Sequence, residues 1–232
     1  MGNDMIALLS AAGIGLLTGL LIPAASLRII RRKCRKRGEE APCFFLSRGV
    51  RAILAGINAL LFGLSAMAAP PAECFLLCMF CFIAMVGAVV DFQIRIIANE
   101  MVLLIAGLGV FYRLSAEGPW FLPGALLAVG MVALVFTGAA LITYLLKKSA
   151  GVGAGDIKLS MAIAFAVGYP GALYFLFGLA LAVAAYAVLG LMSRLLTLKS
   201  WVPMCAPIMA GFLFALFYPH RAVLSAFWEG LR

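Results

Sequence analysis

Two aspartates stand apart from the other seven acids of this chain. Asp91 closes an uninterrupted apolar run from Cys74 to Val90, and Asp156 opens another from Ile157 to Val167. A carboxylate at the edge of hydrocarbon is costly, and it is a candidate for function by default. Two carboxylates brought together cannot both ionise cheaply, so they share a proton and titrate as a unit. Such a pair can draw a proton from water with one member and protonate a carbonyl oxygen with the other. Asp4, Glu39, Glu40, Glu73, Glu117 and Glu229 fall in loops or tails and read as solvated charges, while Glu100 is spaced to pair with Arg95. The single histidine, His220, lies beyond the last long apolar stretch, so Ser-His and His-metal mechanisms have almost no material. Cys74, Cys78 and Cys81 share one helical face and read as small buried hydrophobes rather than a metal site. Asn58 sits inside an apolar run, where a hydrogen bond to a neighbouring helix is its natural fate.

The approach to Asp156 is unusual. Gly151-Val152-Gly153-Ala154-Gly155-Asp156 places three glycines at alternate positions directly before the acid. Glycine permits backbone conformations and close approaches that a Cβ would block, which suits an acid presented on a tight, accessible turn. A plain glycine-rich turn with Asp156 as helix N-cap fits the same residues. A phosphate-cradling loop does not, because the Lys-Ser/Thr pair that closes one is absent.

The elements that carry these acids must lie in a membrane. Of 232 residues, 66% are hydrophobic and 12% charged, against about 45–50% and about 25% in ordinary soluble domains. That composition excludes a soluble domain, a disordered chain and a disulfide scaffold. Apolar runs broken by charges, Pro and Gly mark an all-α, polytopic bundle of about eight spans near 5–28, 52–69, 73–90, 97–114, 123–146, 157–169, 172–192 and 203–219. The sixth is short and meets a turn at Gly168-Tyr169-Pro170-Gly171. The net charge of +9 does not imply nucleic acid, since nine of the 18 basic residues cluster from Arg28 to Arg51 in what reads as a short loop. With the N-terminus outside, 15 basic residues fall inside and only Arg113, Arg221 and Arg232 outside, as the positive-inside rule requires. Two spans then separate Asp91 from Asp156 and return both to the inner face. The first span has no basic n-region before it and reads as retained. Trp120, Trp201, Tyr112 and Tyr144 fall near span ends, and Val223, Phe227 and Trp228 make the tail an interfacial candidate.

Three stretches resemble the prepilin peptidases, bacterial membrane-embedded aspartic proteases of the GxGD type. Gly153-Ala154-Gly155-Asp156-Ile157-Lys158-Leu159 is similar to that family's G-x-G-D-x-K-L. Asp91-Phe92-Gln93-Ile94-Arg95-Ile96-Ile97-Ala98-Asn99 is similar to its acid, basic patch and Ile-Pro-Asn, with Ala98 where the family has proline. Val202-Pro203-Met204-Cys205-Ala206-Pro207 resembles its paired-proline stretch. The resemblance implies that Asp91 and Asp156 are the catalytic pair, with Gly153, Gly155 and Lys158 in the active-site loop and Arg95, Asn99, Pro203 and Pro207 in support. It implies type IV prepilin or pseudopilin substrates, cut on the cytoplasmic side of the bacterial inner membrane, and no metal or other cofactor for cleavage. It divides the chain into N-terminal spans with the basic loop (1–72), a peptidase membrane domain (73–219) and an interfacial tail (220–232).

Long-form members also methylate the new amino terminus and carry two CxxC pairs in an N-terminal loop. Here residues 29–51 hold only Cys34 and Cys43, separated by eight residues, so a four-thiolate zinc site is not available in that loop. Methyl transfer stays open, and S-adenosylmethionine enters only with it. Within the pair, the helix dipole favours the anion at Asp156, which begins a helix, and disfavours it at Asp91, which ends one. Asp156 is therefore the expected base and Asp91 the expected acid. Rival readings are a small ion-coupled transporter using the same aspartates and a non-catalytic assembly subunit; oligomeric state is open. Reporters fused after Lys148 and Lys199 should read cytoplasmic, and one fused after Glu117 external. A cytoplasmic signal at Glu117 would put the two aspartates on opposite faces.

Overall fold

Proline, glycine and serine set the joints between helices. The computed structural model describes residues 2–38, 40, 46–147, 153–192 and 204–220, and among them it is all-helical. Helix α1 spans Gly2–Gly19, and α2, Ile22–Arg37, follows with a proline in its first turn. Gly38 ends α2 in the left-handed region (φ 70°), where a side chain would be strained. Ser47 caps α3, Arg48–Ala68, by accepting a hydrogen bond from the Val50 amide at 3.3 Å. Helix α4, Pro71–Ile94, again opens on proline, which loses nothing there because first-turn amides have no intrahelical partner. Then come α5, Asn99–Glu117, a 3-10 corner at Gly118–Phe121, α6, Leu122–Lys147, α7, Ala154–Met192, and α8, Cys205–Phe217.

Five stretches among the described residues are long and apolar enough to cross a membrane: Met5–Arg37, Arg48–Ala68, Pro71–Ile94, Asn99–Leu146 and Ala154–Met192. Their outward faces are greasy; Leu103, Leu134 and Leu146 are each more than 70% exposed. Water would not tolerate such a belt, whereas lipid solvates it. The chain is a helical membrane protein.

Helix α7 is not one rod. Gly168 (φ 59°, ψ −170°) and Tyr169 (φ −91°, ψ 135°) leave the helical region, and a cis bond joins Tyr169 to Pro170. The break falls at the expected Gly168–Gly171 turn. Two other expectations change. The basic stretch after Arg28 is helical as far as Arg37, so Arg28 to Arg37 line a helix rather than a loop. Arg113, expected among exposed outer charges, is 4% exposed and ion-paired to Glu117, which was expected to be merely solvated. Glu39, Cys43, Lys148, Gly151, Val152, Arg194, Lys199, Trp201, Pro203 and the interfacial tail from residue 221 lie outside the described residues.

The chain divides into two compact units, Met1–Ala98 with Leu216–Arg232, and Asn99–Ala215. In the first, α1 and α3 run antiparallel at backbone distance. A Cβ on Gly15 would lie 2.8 Å from the Ala59 α-carbon, and one on Gly19 2.6 Å from that of Ala55. Asn58, fully buried, donates to the Gly15 carbonyl at 2.7 Å and to the Thr18 hydroxyl at 3.0 Å, the interhelical bonds its position foretells. Helix α2 lays Ile22, Ile30 and Cys34 on Val86, Val89 and Val90 of α4. In the second unit α5 and α6 both pack on α7, with Phe121 edge-on to Phe165 at 6.1 Å and Gly109 against Ala166. Gly211 of α8 abuts the Leu179 backbone of α7. Gly15→Ala and Gly19→Ala should each cost about 1–3 kcal/mol through overpacking, read as a lower melting temperature in detergent. Gly56→Ala, whose new methyl meets nothing within 4 Å, should not.

Candidate functional site

Asp91 sits in the last turn of α4 and is 5% exposed. The turn is closed by Arg95, which adopts the left-handed conformation (φ 50°, ψ 41°) and donates its amide to the Asp91 carbonyl at 2.9 Å. A non-glycine residue there costs roughly 1–2 kcal/mol, and such outliers gather at functional sites. The side of α4 just before Asp91 is the valine face packed on α2, so the acid stands on a braced helix end. Beyond it Arg95–Ala98 is non-helical, although Ala98 replaces the proline that would enforce this. Ala98 is fully buried, and burial rather than a fixed φ holds the segment.

Asp156 sits at the other kind of helix end. Gly153, not Asp156, is the N-cap of α7, since its carbonyl takes the first helical bond from the Ile157 amide at 3.2 Å. Asp156 is three residues on and reaches back, its Oδ2 accepting the Gly153 amide at 3.3 Å. This is the acid's half of a capping box. The half-buried carboxylate therefore lies where unsatisfied amides and the helix dipole favour an anion. Asp91, among terminal carbonyls, meets the opposite field. Asp91 belongs to the first unit and Asp156 to the second, and each is set by its own helix end.

Gly153 must be bare. A Cβ on it would lie 2.9 Å from Asp156 Oδ2, so a methyl would displace the carboxylate. Gly155 lies half-buried in the first turn of α7.

Two residues that the sequence put in separate motifs meet within the second unit. Asn99 and Lys158, both exposed, line one groove of about 470 Å³ with Val102, Leu103, Met161 and Ala162. Contacts climb together along α5 and α7, from Val102 beside Met161 to Gly109 beside Ala166, so the two helices run parallel. Asn99 and Lys158 are the polar residues of a lining that is otherwise apolar. Pro207 is buried in the first turn of α8, where its missing amide costs nothing. Cys34 is a packing residue against α4, and Cys78 and Cys81 are buried in α4, with Cys81 4.0 Å from the Ser65 hydroxyl. Among the described residues no three potential metal ligands converge. The sequence missed Arg113 and the groove; an arginine inside an apolar helix was the available signal for the first.

Residues 75–188 match the family model of the type IV leader peptidases. The matched stretch contains Asp91, Arg95, Asn99, Gly153, Asp156 and Lys158 and ends before Pro203 and Pro207. Among curated proteins and solved structures nothing matches the chain. Gly153→Ala should lower cleavage on the order of 100-fold, the cost of an acid misplaced by ~1 Å, with the helix content by circular dichroism unchanged.

Proposed function

We propose, from a chain that belongs through residues 75–188 to the type IV leader peptidase family, that the peptidase activity this membership implies is that of a membrane-embedded aspartic endopeptidase with Asp91 and Asp156 as its catalytic pair. One observation carries the assignment: of the four carboxylates in the family stretch, the two aspartates stand at a helix finish and a helix start, in opposite helix fields. Asp156, favoured as the anion, takes a proton from a water, whose oxygen attacks the scissile carbonyl carbon. Asp91, as the acid of the pair, donates its proton to the carbonyl oxygen. The tetrahedral intermediate then collapses: one of its hydroxyls returns a proton to Asp91, the carbon–nitrogen bond breaks, and the proton held on Asp156 passes to the leaving amine. No metal or nucleotide takes part in these steps.

The substrates are type IV prepilins or pseudopilins, cut at the cytoplasmic face of the bacterial inner membrane. The chain crosses that membrane about eight times with its N-terminus outside, a reading supported by the basic-residue bias and by the break that splits α7. The peptidase domain is 73–219, with Gly153, Gly155 and Lys158 in the active-site loop and Arg95, Asn99, Pro203 and Pro207 as supporting residues. Methyl transfer is not part of the proposed activity. Cys34 packs in a core, which supports a structural role for it.

Co-expression with a candidate prepilin tests the assignment. Asp91→Asn and Asp156→Asn should each abolish the mass shift of the pilin while leaving membrane insertion normal. The double variant should lose little more than either single one, because a residue pair acting as a unit fails with its first member. Substantial cleavage by either single variant refutes the aspartic mechanism. The mature pilin should carry an unmodified amino terminus, and a product one methylene heavier that disappears in Cys34→Ser would return methyl transfer to this chain.

A further inference from the structure

The first half of α7 is held at both ends. Its start is the Gly153–Asp156 capping box; its end, at Val167, is where the helix stops and Pro170 brings no amide to continue it. A carbonyl left without a partner in apolar surroundings costs several kcal/mol. Arg113 meets that need from α5, with its Nη1 donating to the Val167 carbonyl at 3.1 Å. The same nitrogen lies 2.5 Å from Glu117 Oε1, one turn further along α5. A cation is also the favoured charge at a helix C-terminus.

Gly168 fits the guanidinium. It holds φ 59°, and a Cβ on it would overlap all three terminal guanidinium atoms. Arginine is 4% exposed here, an expensive placement inside an apolar bundle. A hydrogen bond to a backbone carbonyl could come from many donors; a planar group seated on a left-handed glycine could not. Because α5 and the first half of α7 run parallel, this contact also fixes their axial register, with Gly109 on Ala166 beside it and the Asn99–Lys158 groove at the far end.

We propose that Arg113 is a positioning residue: it ends the Asp156 half-helix at Val167 and sets its register against α5, roughly 16 Å along the helix from the acid. The proposal rests on the aspartic-peptidase reading for its kinetic consequence and on the geometry alone for its structural one.

The test separates the two. In a variant with all six cysteines replaced, spin labels at Ala154 and Phe177, both exposed and on opposite sides of the break, give a distance across α7 without substrate. Arg113→Gln should shift or broaden that distance. With intact enzyme and a prepilin it should lower kcat about tenfold or more and leave KM within about twofold, and Arg113→Lys, which keeps the charge without the planar group, should recover little of the loss. Gly168→Ala, which drives a methyl into the guanidinium, should reproduce the Gln phenotype and serves in its place should Arg113→Gln fail to accumulate. An unchanged distance with wild-type kcat in the variant measured overturns the proposal. So does a loss in which kcat falls only in step with the melting temperature, or one that Lys relieves in full. If wild-type protein cleaves no prepilin while the distance still moves in Arg113→Gln, the brace stands and the catalytic reading falls.

Discussion

A peptide group in hydrocarbon has no water to bond, and that constraint organises this protein. It makes the described chain helical throughout, and it makes every helix end a place where unsatisfied amides or carbonyls collect. Hydroxyls bond a carbonyl one turn back along their own helix, as Thr137 and Thr143 do, while charged side chains meet backbone groups at the helix ends. Asp156 takes up an amide at a helix start; Arg113 takes up a carbonyl at a helix break; Asp91 stands at a helix finish whose last carbonyl is closed by the left-handed Arg95. Asn58, the exception, lies mid-helix and reaches a carbonyl exposed by Gly15, where two helices touch at their backbones.

The same constraint places the two aspartates in different surroundings without any difference in residue type. One carboxylate faces the positive end of a helix and the other the negative end. Glycine beside Asp156 and valines behind Asp91 then do separate jobs: Gly153 leaves room for the carboxylate, and the valines anchor a helix against α2.

Much of this was legible in the sequence. Apolar runs ending in Asp91 and beginning with Asp156 located the acids and their helix ends, because hydrocarbon length and charge placement are written residue by residue. The break at Gly168–Gly171 was legible for the same reason, as glycine and proline act locally. What escaped depends on packing between distant segments. Arg113 counts only as an outer charge at the end of the 97–114 span until Gly168 is seen beneath it, and no spacing rule links Asn99 to Lys158. The basic stretch after Arg28 read as loop because its charges outnumber its apolar residues; Ile22, Ile30 and Cys34, spaced along one face, find α4 and keep it helical. Asp156 as N-cap was one residue type correct and three positions away, since the glycine, having no side chain, caps with its backbone alone.

The parallel run of α5 and the first half of α7 has a consequence for biogenesis. Two parallel neighbours cannot be joined by a tight hairpin, so α6 must be threaded between their syntheses. Helix α5 therefore enters the bilayer with Gly109 bare and Arg113 unclaimed, and keeps them so until Ala166, Val167 and Gly168 have been made. Glu117, four residues from Arg113 and already translated with it, is the companion available during that interval. The i,i+4 ion pair is thus within reach of the guanidinium before its long-range seat exists.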